Sequence, residues 1–161
     1  MTTNNNPGCL SLISSLFTPK KQTQLIYPYK VQDNFLSPSE LAFYKVLESI
    51  TRDKLVIQCK VRLADIFYVS RPNENKGYSN KINQKHVDFL LCHPSTIKPL
   101  LGIELDDSSH NQPKRQKRDA FVDNVFKATN LPLLHVKARQ SYNPQELLNQ
   151  IKNAITTKRQ E

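Results

Sequence analysis

Residues 83–110 read NQKHVDFLLCHPSTIKPLLGIELDDSSH, and the acids set inside their apolar runs decide how the rest of the chain is read. Two runs rich in Val, Leu, Ile and Phe, His86 to Cys92 and Leu100 to Asp106, have the composition of strands. The HPSTIKP link between them, with proline at both flanks, fits a hairpin-like connection. Asp88 interrupts the first run; Glu104 and Asp106 interrupt the second. A carboxylate in such a strand is costly to desolvate unless it is paired or binds a cation. Side chains alternate along a strand, so Glu104 and Asp106 share one face, while His86 and Asp88 share a face opposite Val87 and Phe89. If those faces align, Asp88, Glu104 and Asp106 converge. Hard carboxylate oxygens so arranged suit Mg²⁺ or Mn²⁺, which would polarise a phosphate ester and lower the pKa of a bound water. The plainer alternative is that these acids sit at strand ends and face solvent.

A basic segment follows directly. Pro113 opens a helix expected to run to about Thr129, and its first turns carry Lys114, Arg115, Lys117 and Arg118. At helical spacing Phe121, Val122, Val125 and Phe126 face the sheet. Arg118 continues that stripe toward the helix N-terminus, with Lys114 one turn earlier. Cations there, beside the positive end of the helix, would hold DNA or RNA phosphates next to the acids. Otherwise they form a solvated face. His86 and His110 are candidates for general base, phosphate contact or metal ligand, with His110, after Asp107-Ser108-Ser109, ranked above His93 and His135. Asp119 is expected to orient Arg118.

Further out, Ser37-Pro38-Ser39-Glu40 is a helix start: serine at the N-cap, proline at the first position, glutamate returning to the cap. Capping alone accounts for Glu40, although that residue could also reach the acidic site. Leu41, Tyr44, Val46, Leu47 and Ile50 give this helix an apolar stripe to about Ser49. Leu55 to Cys59 reads as a strand, residues 61–68 are ambiguous, and Arg71 to Lys81 reads as a mobile loop. Leu131 to Val136 is a fourth strand, and Asn143-Pro144 starts a last helix to about Ile155. The order α-β-β-β-α-β-α predicts an α/β fold, a mixed sheet flanked by helices. The domain is expected over residues 37–156, with tails at 1–36 and 157–161.

With 161 residues and a net charge of +9, one core is expected, with a polyanionic partner. Cys9, Cys59 and Cys92 form no metal-binding spacing and no even disulfide set, which favours a reducing, cytoplasmic setting. The run Cys9 to Phe17 is too short to span a bilayer and lacks the features of a secretion signal. No GxxxxGK[ST] loop argues for ATP-driven chemistry.

The segments HVDFLL, GIELDDSSH and KRDAFVDNVFKATNLPLLHV resemble a bacterial family known as domain of unknown function 2726, placed in the PD-(D/E)XK nuclease-like superfamily. They are also similar to the very-short-patch repair endonucleases. The likeness covers about Leu36 to Ile151. It implies a restriction-endonuclease-like core, Asp88 as the motif's first acid, Glu104 as the second, Mg²⁺ as cofactor and a nucleic-acid phosphodiester, DNA foremost, as substrate. The superfamily's usual lysine falls two residues after the second acid, and here that residue is Asp106. Lys114, Lys117, Arg118 and Lys85 are candidates to replace it, and Asp106 is a candidate third metal ligand. The expected activity is therefore that of a metal-dependent endonuclease. Asp88, Glu104, Asp106, His110 and Lys114 would carry the chemistry, and Lys114, Arg115, Lys117 and Arg118 the nucleic acid. The rivals are a nuclease-fold module that binds nucleic acid without cutting it, and a protein-interaction or membrane-peripheral domain that keeps only the scaffold.

Overall fold

The computed structural model describes residues 27–106 and 113–157, residues 113–116 by their backbone alone. His110 and the side chains of Lys114 and Arg115 therefore lie outside the described residues. Residues 27–33 are exposed, and Tyr27 and Tyr29 stack at 6.2 Å.

Helix α1, Pro38–Thr51, starts with the capping box: Glu40 N donates to Ser37 Oγ at 3.3 Å, and Ser37 N donates to Glu40 Oε2 at 2.6 Å. Its inward face is Phe43, Leu47 and Thr51 at i, i+4, i+8. Leu41, expected in the stripe, is 43 % exposed. Phe43 takes the inward place because it packs on Phe89 (5.2 Å) and edge-on to Tyr142 (5.1 Å).

A 3₁₀ turn leads into β1, Val56–Arg62, which extends past the expected strand and passes into a short helix α2, Leu63–Ile66. The polar stretch after it ends in another short helix, α3, Tyr78–Asn83, where only a loop was expected. Gly77 (φ 85) supplies the left-handed residue that starts it. Then come β2, His86–Cys92, and β3, Pro99–Asp106. Helix α4, Pro113–Ala128, returns the chain to β4, Leu133–Lys137, and α5, Pro144–Thr157, follows.

The sheet runs β1-β2-β3-β4, antiparallel through β3 and parallel between β3 and β4. The α4 crossover makes that parallel pairing possible. One core cluster joins α1 and α5 to Phe89, Leu91, Leu101, Ile103 and Val136. The other joins Val122 and Phe126 of α4 to Leu63, Val87, Leu90 and Cys92. The mixed sheet is thus flanked by helices, as the element order predicts.

Strict alternation fails at one place. Cys59 packs in the first cluster and Val61 in the second; on the neighbouring strand Phe89 packs in the first and Val87 in the second. The break falls at Lys60, whose backbone is left-handed (φ 52), between the pairs Cys59↔Phe89 and Val61↔Val87. Asp88 occupies the corresponding place on β2. Among described residues no helix is long and apolar enough to cross a membrane.

Candidate functional site

The antiparallel ladder between β2 and β3 ends at Phe89↔Ile103. Just beyond that pair, Leu105 N donates to Asp88 Oδ2 at 2.9 Å. A side chain has taken the place of a strand partner, so the two strands fork at Asp88 and Glu104. A cavity of about 250 Å³ opens there, lined by Ser37, Ser39 and Glu40 from α1, His86 and Asp88 from β2, Glu104 to Asp106 from β3, Arg118, Asp119, Val122 and Asp123 from α4, and His135 and Ala138. Six of these residues are carboxylates.

Glu104 is the most perturbed of them. Burial, then the neighbouring Asp88 charge, pushes its carboxyl up to about 8, against the opposing pull of Arg118. Its Oε1 is buried without a hydrogen-bond partner. A buried carboxylate oxygen with no donor, beside a second carboxylate, is an arrangement that a cation would relieve.

Asp106 turns elsewhere. Its Oδ1 lies 3.1 Å from His135 Nδ1, and His135 Nε2 lies 2.9 Å from Asp123 Oδ1. Burial lowers the His135 pKa, but hydrogen bonds to the Asp106 and Asp123 carboxylates outweigh it, so the imidazole is held above its ordinary value. This chain ties β3 and β4 to α4. Among described residues no three His, Cys, Asp or Glu side chains are grouped to hold a metal ion. The expected trio therefore resolves into a close pair, Asp88 and Glu104, and an Asp106 engaged with His135.

The other expected residues separate in the same way. Arg118 is half-buried in the cavity wall, whereas Lys117 is exposed and does not line it. Asp119 lines the cavity beside Arg118. His86 lines it too, and burial followed by the Arg118 charge lowers its pKa. His93 lies in the β2–β3 turn, where its Nδ1 accepts from Ser95 N.

Glu40 does more than cap α1. Lys60 Nζ donates to Glu40 Oε1 at 2.7 Å while Oε2 holds the cap. Burial raises the Glu40 pKa, but Lys60 and the Ser37 bonds overcome that and hold it low. Lys60 and Asp123 escaped the reading of the sequence as site residues, and His135 was ranked below His110. His135 did carry a signal, since it is the one polar residue in Leu133-Leu134-His135-Val136, the argument that singled out Asp88. Its parallel partner is Glu104.

Residues 32–155 match the model of a family described as "Protein of unknown function (DUF2726)", and the chain belongs to that family. No curated protein and no solved structure matches it.

Proposed function

We propose that this member of the DUF2726 family is a Mg²⁺-dependent nuclease that hydrolyses phosphodiester bonds of DNA on a restriction-endonuclease-like core. The observation that carries the reading is the Asp88–Glu104 pair at the fork of β2 and β3, with its orphaned Oε1. The strand order, the antiparallel β1-β2-β3 and the parallel β4 agree with the αβββαβ core that the resemblance implies. Two carboxylates fit Mg²⁺ well, because that ion is held by one or two protein carboxylates and completes its shell with water and substrate phosphate. When bound, it supplies Lewis acidity and a water of lowered pKa.

The chain's own groups divide the remaining work. Arg118, on the cavity wall, meets the phosphate charge that collects beside Glu104. His86, kept neutral by its lowered pKa, is fit to accept a proton from the attacking water. His135, held by two aspartates, positions Asp106 and α4 and is not a base. Lys60, across from Asp88 and secured by Glu40, stands in for the lysine that the motif places where Asp106 lies.

The test is hydrolysis of supercoiled, linear and single-stranded DNA with Mg²⁺, Mn²⁺ or EDTA, comparing wild type with Glu104→Ala. Metal-dependent cutting, lost in the variant, is the expected result. Binding without cutting by folded wild type would replace the nuclease with a binding module, a reading that the Asp106–His135 contact favours.

A further inference from the structure

Beside the acidic cavity lies a second surface of a different character. A groove of about 520 Å³ runs between the segment after α2 and α4, with Phe67, Tyr68, Tyr78, Ile82, Phe121 and Val125 in its walls. Tyr68 is 91 % exposed and Tyr78 51 % exposed. Aromatic rings displayed so openly in one patch mark a contact surface. Ammonium groups sit over two of the rings: Lys81 Nζ is 4.6 Å from the Tyr78 centroid and Lys85 Nζ 4.7 Å from that of Phe121.

Charge selects the occupant. An apolar peptide would use the rings and leave the two ammonium groups unmatched. A strand of nucleic acid uses both, its bases stacking on rings and its phosphates meeting the lysines. Continuity points the same way. Phe121 of the groove wall, with Lys85 over its ring, immediately precedes Val122, which lines the acidic cavity, so the groove and the cavity share one turn of α4. A duplex keeps its bases stacked on one another and offers the tyrosines nothing.

We infer that Tyr68 and Tyr78, with Lys81 and Lys85, form a landing surface for unpaired nucleotides, which makes single-stranded or frayed DNA the substrate class of the adjoining site. The inference rests on the nuclease reading for the word substrate; the binding surface itself does not need it.

The experiment measures binding of fluorescein-labelled oligo-dT and of a duplex of equal length, in EDTA so that nothing is cut. Tyr68→Ala/Tyr78→Ala is expected to weaken oligo-dT binding by at least about fivefold and leave duplex binding within about twofold. Tyr68→Phe/Tyr78→Phe keeps the rings and should bind oligo-dT as wild type does. Lys81→Glu should weaken oligo-dT binding. Thermal melting of each variant, followed by circular dichroism, reports folding separately. Equal losses on both DNAs, no loss on either, or a loss confined to phosphatidylglycerol vesicles would overturn the proposal. Because the binding is read without hydrolysis, failure of the cleavage assay leaves this result interpretable.

Discussion

Glu104 carries a charge that its surroundings resist. Its unfolded carboxyl gives up its proton near 4.5 and its folded one only at about 8. Between those values the folded carboxyl holds its proton while the unfolded one does not, so Glu104's contribution to stability is greatest below the lower value and falls as pH rises to the upper. The cost of the ionised state is on the order of a few kcal/mol. In EDTA, Glu104→Gln should melt close to wild type at about pH 4.5 and well above it at about pH 9, by differential scanning calorimetry. Lys60 stores a smaller cost in its left-handed backbone. Lys60→Gly should be more stable than Lys60→Ala by about 1 kcal/mol in urea unfolding, with both less active than wild type. At this scale Asp88 and Glu104 were legible, since acids in apolar strands announce themselves. Their neighbours' pairings were not: Lys60 meets Glu40 across 20 residues and His135 meets Asp106 across 29. Only the folded sheet brings those positions together.

At the scale of the element, α4 must lie close against β3 for Arg118 and Asp123 to reach the cavity. Gly102 permits that approach. A Cβ there would meet Phe126 Cε1 at 2.5 Å and Cζ at 2.7 Å. The Phe126 ring is 1 % exposed and held edge-on by Phe67 at 5.0 Å, so it has little room to yield. Gly102→Ala should therefore cost about 1–3 kcal/mol in denaturant unfolding and depress activity beyond its effect on stability. The long elements were legible because periodicity and caps agree over many residues, as at Ser37-Pro38-Ser39-Glu40. Helices α2 and α3, of 4 and 6 residues, were not, because so few positions carry no period. Nor was the exchange of faces at Lys60 and Asp88, which follows from a backbone angle that lysine rarely adopts.

For the whole molecule, the order α-β-β-β-α-β-α was sufficient to give a mixed sheet between helices, with the acids at the fork of its two middle strands. The net charge of +9 and the six carboxylates in one cavity then stand in opposition. Under the proposed function, a divalent cation at the acids would reconcile the two when a polyanion binds. In the proposed site Asp88 and Glu104 are the two halves of one such centre. Its most direct measurement is titration of Mn²⁺ into the protein at neutral pH, with free Mn²⁺ followed by electron paramagnetic resonance, for wild type, Asp88→Asn and Glu104→Gln. Uptake by wild type, lost in each variant, is the expected result. Equal uptake by all three, or none by folded wild type even with DNA present, would contradict it.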